Sequence, residues 1–87
     1  MTIHKICILG AGTLGSRVAL QSAISGFQVS VYDIHQKSLD FGRKTMEKIL
    51  RQLVKGGQLS ENQAPEIFSR IQFTLDPLEA VADADFI

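Results

Sequence analysis

Tryptophan is absent from this 87-residue sequence, tyrosine and cysteine occur once each, and proline twice. The lone cysteine, Cys7, has no partner for an internal disulfide. That removes the disulfide-stapled secreted folds and points to a reducing cytoplasm. Net charge is also lacking, with nine Lys and Arg against nine Asp and Glu. The balance gives no reason to expect a nucleic acid or an acidic membrane surface as partner. No apolar run is long enough to span a bilayer. The first such run, Ile6–Leu9, is interrupted by Gly10 and Gly12 and preceded only by Lys5, which is wrong for a secretory leader. Repeats, low-complexity tracts and linkers are missing too. The chain is shorter than a usual domain of about 100–150 residues, so it can bury a small core but has little room for a second domain.

What is present has a clear rhythm. Ile3 to Leu9 is β-branched and apolar and ends at glycine, which predicts a buried parallel strand. Leu14, Val18, Ala19 and Ala23 recur at helical spacing from Thr13 to Ser25, and Gly26 stops them. Phe27 to Tyr32 predicts a second strand, followed by Asp33. These residues make one βαβ unit of the expected length of about 30 residues.

Gln36 to Lys55 predicts a long amphipathic helix closed by Gly56-Gly57. Leu39, Met46, Ile49, Leu50 and Leu53 share one face. Lys44, Lys48, Arg51 and Lys55 share the opposite one, where Phe41 also projects. That exposed phenylalanine suggests packing against an element outside the chain, or a partner. Ser60 and Gln63 have capping-box spacing, but Pro65 interferes, so a second short helix begins either at Ser60 or at Pro65. Ile71 to Leu75 predicts a third strand. Asp76-Pro77 predicts the start of a helix reaching Ala82, with Asp76 as cap and Pro77 in the first position. Phe86-Ile87 predicts the stub of a fourth strand. Breaking off there, the sequence is expected to be a piece of a longer chain. The fold class is thus α/β, a partial parallel sheet with a helical pair at 36–70 inserted after the second strand.

Gly10-Ala11-Gly12-Thr13-Leu14-Gly15 matches G-x-G-x-x-G. In this pattern the first glycine allows a tight turn out of the strand, the second lets a pyrophosphate approach the backbone, and the third lets helix and strand pack closely. The amides at the helix start then face the phosphates, aided by the helix dipole. Alone the motif is weak, but strand, helix, second strand and terminal acid all surround it. Asp33 follows Gly15 by 18 residues, near the ~20 expected of an acid that binds the adenosine ribose. Its charge would repel a 2′-phosphate, which favours NAD over NADP, although His35 and Lys37 leave NADP open. FAD uses the same loop and stays open as well.

From Lys5 to Ser16 the sequence resembles the opening of the 3-hydroxyacyl-CoA dehydrogenase family, whose loop often reads GAGTMG. The resemblance continues through Val31-Tyr32-Asp33, the long helix to Gly56, Leu59-Ser60-Glu61 and Glu79–Asp85, with the helical pair its most specific part. It implies a Rossmann-type domain and an NAD-dependent oxidation of a 3-hydroxyacyl thioester to the ketone, as in fatty-acid oxidation. Relatives also act on hydroxy acids without CoA. Gly10, Gly12, Thr13, Leu14 and Gly15 would face the pyrophosphate, and Asp33 would hold the ribose. The family's helical pair contacts CoA, which would place Lys48, Arg51 and Lys55 toward its phosphates; a solvated helix face is the plainer alternative. Leu14 stands where the family usually has methionine, and Pro65 where it has a helix former. The family's catalytic histidine and partner glutamate come later in the chain.

No catalytic or metal-ligating residue is therefore expected in this sequence. His4 lies at the wrong end of the first strand and His35 on the adenosine side, so both read as surface residues. Cys7 reads as a small core residue, and Asp83 and Asp85 as solvated acids. The expected protein is a cytoplasmic oxidoreductase and homo-oligomer, of which this chain alone is inactive. The alternative is a stand-alone dinucleotide-binding module that self-associates through open sheet edges.

Overall fold

The structure is a computed structural model and describes residues 5–82. Three strands, β1 (Lys5–Leu9), β2 (Gln28–Tyr32) and β3 (Ile71–Thr74), form a parallel sheet in the order β1-β2-β3. Cys7 pairs with Ser30, and Val31 with Phe73. Four helices connect and follow them: α1 (Thr13–Ile24), α2 (Gln36–Lys55), α3 (Gln63–Ser69) and α4 (Pro77–Val81). The predicted α/β architecture and its helical pair are present. The predicted stub Phe86-Ile87, His4, Asp83 and Asp85 lie outside the described residues.

Side chains alternate across a strand, and the two sheet faces have different covers. Val29, Val31 and Ile71 point into the core with Ala19, Leu20 and Ala23 of α1, Leu39, Met46 and Leu50 of α2, and Ile67 of α3. Of the stripe predicted on α2, Leu39, Met46 and Leu50 are buried and Ile49 packs against the margin, whereas Leu53, near the end of the helix, is half-buried and lies outside the core cluster. Gly42 completes the buried stripe, a position the hydrophobic pattern does not register. Gln72 points the other way and is hydrogen-bonded to Glu79 of α4. α4 therefore lies on the face opposite α1 and α2. Its end returns to the first strand, where the Lys5 ammonium donates to the Ala82 carbonyl at 2.7 Å. The chain has changed faces and turned back toward β1, the reversal that in open α/β sheets opens a crevice at the carboxyl ends of the strands.

The ends of the elements follow local chemistry. Gly26, at φ +100°, turns the chain out of α1 in a conformation that an L side chain resists. Asp76 caps α4, accepting from the Leu78 and Glu79 amides, with Pro77 in the first turn as expected. The start of α3 differs from both expected positions. Ser60 and Gln63 do form the reciprocal capping-box bonds, at 2.8 and 3.3 Å, yet the helix proper begins at Gln63. Pro65 is then its third residue, within the first turn, where an N–H has no partner inside the helix. At the other end of α3, Arg70 donates from Nη1 to the Ala23 carbonyl at 2.7 Å and from Nη2 to Glu66 at 3.3 Å. It ties the carboxyl end of α1 to the helical pair, a long-range tie with no signature in the local sequence.

Candidate functional site

The crevice lies where β1, β2 and β3 end. Gly10 leaves β1 at φ +104°, a turn only glycine makes without strain, while its amide still donates to the Tyr32 carbonyl at 2.7 Å. Gly12 is the N-cap of α1 and brings no side-chain cap. The first-turn amides therefore have no acceptor from their own helix. Gly12 is extended (φ −69°, ψ −177°), a conformation open to any residue, and a Cβ built on it meets nothing within 4 Å. A glycine at this position is needed neither for the backbone nor for internal packing. The open side of its Cα suits close approach by a ligand, as a pyrophosphate requires. Gly15 is the reverse case: a Cβ there would collide with the Gly10 carbonyl oxygen. Its hydrogen atom is what lets α1 sit on β1.

Asp33, at the end of β2, reaches into this loop. Its Oδ2 accepts from the Ala11 amide at 3.0 Å and its Oδ1 from the His35 amide at 3.0 Å. Its own amide donates to the Thr74 carbonyl of β3 at 3.4 Å. One residue thus joins the ends of all three strands. The Ala11 amide, then the His35 amide, holds its pKa below the usual aspartate value, against an opposing push from burial. A folded pKa below the unfolded value of about 3.9 means stability that is fully present above that value and lost as the pH falls through the folded one. Asp33→Asn is expected to be less stable than the wild type at pH 7. The gap between their thermal midpoints should close as melts are repeated down to pH 3; a gap constant with pH would contradict this.

The peptide on the other side of the Ala11 Cα is held as well. Its carbonyl accepts from Ser16 Oγ at 3.1 Å, and both residues are fully buried. Gly42 of α2 packs directly on this pair, because a Cβ there would stand 2.9 Å from Ser16 Oγ and 3.2 Å from the Ala11 carbonyl oxygen. A mid-helix glycine costs about 1 kcal/mol relative to alanine. The close approach of α2 to the loop explains it. The signal was an isolated glycine inside a strongly periodic helix.

Around the crevice stand exposed apolar side chains that composition alone does not single out: Leu9 at the end of β1, Leu14 in the first turn of α1, Ile34 after Asp33, and Leu75 after β3. Leu14 is 77% exposed and Ile34 70% exposed, so neither serves the core. They form an apolar rim around a polar, amide-rich centre, the usual composition of a small-molecule site.

The remaining candidates fall elsewhere. Arg51 and Lys55 of α2 line an open groove of ≈ 770 Å³ between α2 and α3, together with Leu50, Val54, Phe68 and the carboxylates of Glu47 and Glu61. Lys48 is exposed but does not line it. Pro65, the residue that departs from the family's helix, lines the same groove. Cys7 is fully buried, and burial pushes its thiol pKa up against the pull of Lys5, which suits a core residue. His35 is exposed, as expected, and offers its backbone to Asp33. Phe41 is exposed. Among the described residues there is no cluster of metal-ligating side chains, and no helix is long and apolar enough to cross a membrane.

Residues 5–87 match the sequence profile of the family described as "3-hydroxyacyl-CoA dehydrogenase, NAD binding domain". A probable 3-hydroxybutyryl-CoA dehydrogenase of Deinococcus radiodurans is 42% identical over 84 residues, covering 95% of this chain and 29% of that protein. A fatty acid oxidation complex subunit alpha of Idiomarina loihiensis is 39% identical over 92% of this chain and 11% of its own length. The crystal structure of a 3-hydroxybutyryl-CoA dehydrogenase from Escherichia coli K12 superposes on 98% of this chain with a TM-score of 0.90 at 27% identity, covering 18% of that chain. The chain thus spans less than a third of the length of each of these relatives. It belongs to the NAD-binding domain family of the 3-hydroxyacyl-CoA dehydrogenases, an oxidoreductase family with NAD as cofactor.

Proposed function

We propose that this chain supplies the adenine-and-pyrophosphate half of an NAD site in a longer 3-hydroxyacyl-CoA dehydrogenase. The observation that carries the reading is the 3.0 Å bond between Asp33 and the Ala11 amide, which fixes the ribose-binding acid and the phosphate loop as one unit. Gly10 shapes the turn, and Gly12 leaves its Cα open to the pyrophosphate. The first-turn amides at Thr13, Leu14 and Gly15 supply donors and the positive end of α1. Each Asp33 oxygen keeps a lone pair free for a ribose hydroxyl after its one backbone bond. The same charge opposes a 2′-phosphate. Ile34 and Leu75 offer apolar surface to the adenine.

NAD, when bound, supplies the hydride acceptor. The base and the pocket for the reacting carbon belong to parts of the protein beyond this chain, so the chain alone is proposed to be inactive. Arg51 and Lys55, together on the α2 wall of an otherwise largely apolar groove that Glu47 and Glu61 also line, are the side chains proposed to meet the phosphates of an anionic acyl carrier such as CoA; Lys48 stands apart from that groove and is not part of the proposal. A cytoplasmic, homo-oligomeric parent protein completes the reading, on the unpaired thiol of Cys7 and the exposed Phe41.

Fluorescence titration of the chain with NADH and NADPH tests it. Saturable NADH binding, about tenfold tighter than NADPH or better, is expected, with no turnover of acetoacetyl-CoA. Equal or tighter binding of NADPH would remove Asp33 from the ribose-binding role. Failure to bind either nucleotide would show that these residues do not make half a site by themselves.

A further inference from the structure

We propose that Gly42 and Ser16 are positioning residues of the cofactor loop: α2 sets the place of the Ala11 peptide by laying a bare Cα against it. The inference rests on the cofactor reading above, but its first measurement needs no ligand.

The geometry makes a closed chain of contacts. Ala11 sits between Gly10 and Gly12, and its N–H and carbonyl belong to the two peptide planes on either side of its Cα, so holding both fixes the direction in which the loop amides point. Asp33 holds its N–H and Ser16 its carbonyl. The Asp33 bond ties the loop to the end of β2 and the Ser16 bond ties it to α1, but neither bears on the side of the loop that α2 covers. Gly42 closes that side. It is buried in the middle of α2, and the space where its Cβ would stand is bounded by Ser16 Oγ at 2.9 Å, the Ala11 carbonyl oxygen at 3.2 Å and the Ala11 Cβ at 3.3 Å. A serine hydroxyl usually escapes such a contact by turning its χ1. In this case turning abandons the 3.1 Å bond to Ala11 and leaves a carbonyl unpaired on a residue with no exposed surface. A methyl at position 42 therefore either lifts α2 from the loop or breaks the Ser16 tie. Both displace the Ala11 peptide, and with it the amide that Asp33 accepts.

The helix that does this also carries Arg51 and Lys55, two to four turns further on at 3.6 residues per turn. Two stretches of α2 thus serve the loop and the groove from one element. A shift of α2 at one place is felt at the other.

The test follows the Asp33 carboxyl by NMR pH titration in the wild type, Gly42→Ala and Ser16→Ala. ADP and adenosine affinities are measured alongside, ADP reporting the loop amides and adenosine the ribose contact. In both variants the Asp33 pKa is expected to rise toward the ordinary aspartate range, because the Ala11 N–H has withdrawn; the His35 amide and side-chain charge and the Ile34 amide, which also hold it down, and the burial that pushes it up lie away from the substituted positions. ADP affinity is expected to fall about tenfold, with adenosine affinity changed far less. In Ser16→Ala/Gly42→Ala the lost hydroxyl makes room for the methyl. Its effects are expected to be smaller than the sum of the single ones. A general loss of stability would lower the melting temperature without moving the Asp33 titration. An unchanged Asp33 titration in the folded variants overturns the proposal. Should Gly42→Ala fail to fold, Ser16→Ala, which adds no bulk, decides by the same readout. If the wild type binds neither ADP nor adenosine, the cofactor reading fails while the titration still judges the positioning role.

Discussion

Gly15→Ala is expected to lower the thermal midpoint of the chain by roughly 8–16 °C, the size of a net loss of about 2 kcal/mol in a domain this small. The added Cβ would overlap the Gly10 carbonyl oxygen, with the Gly10 carbonyl carbon at 3.3 Å and Ile8 Cγ2 at 3.4 Å behind it. The atom in the way belongs to the main chain, so no rotamer change relieves the clash; β1 and α1 must separate. Overpacking of this kind costs about 1–3 kcal/mol or more. The gain of about 1 kcal/mol from replacing a glycine inside a helix offsets part of it. NADH affinity should fall with stability, since the loop between β1 and α1 is what moves. Thermal denaturation followed by circular dichroism measures the first effect. A midpoint within roughly 2–3 °C of the wild type, about half a kcal/mol, would mean that helix and strand can part cheaply.

Gly12→Ala should behave in the opposite way: stability within about 0.5 kcal/mol of the wild type, and NADH affinity reduced at least about 100-fold, or about 2.7 kcal/mol. The backbone at Gly12 is extended and the Cβ would meet no protein atom within 4 Å. Folding therefore has nothing to lose. A methyl on that open side would stand where the pyrophosphate has to approach. Thermal melts and NADH titrations on the same sample separate the two effects. Wild-type affinity in this variant would mean that the phosphates pass the loop elsewhere. The pair makes a useful contrast, because both residues belong to one motif and both are glycine. One is small for the sake of the protein's own backbone, the other for the sake of a ligand.

Much of this could be read from the sequence because the signals are local. A β-branched run ending in glycine, a helical period and a second such run place β1, α1 and β2 within a residue or two, since hydrophobic spacing and glycine act over one or two turns. The capping box at Ser60 and the cap at Asp76 were legible for the same reason. The start of α3 was not. Sequence offered Ser60 or Pro65, whereas the helix accepts the cap and the proline together by placing Pro65 in its first turn.

By itself the sequence determined the fold class, the glycine loop with its terminal acid, and the family. Each depends on residue type and spacing along one stretch of chain. Only the tertiary structure decided how the parts bear on one another. That Asp33 closes on Ala11, that Arg70 holds the end of α1, and that Gly42 must be bare because Ser16 and Ala11 lie against it all depend on distances between residues far apart in the chain. The hydrophobic pattern counts Gly42 as a blank, since glycine has no side chain to bury. Its role is the absence of an atom, and absence acquires meaning only when a neighbour occupies the space. Likewise Lys48 shares a helix face with Arg51 and Lys55 in the sequence, but α3 builds its groove beside the latter two alone. Periodicity fixes which way a side chain points, and packing against a second helix decides what it faces.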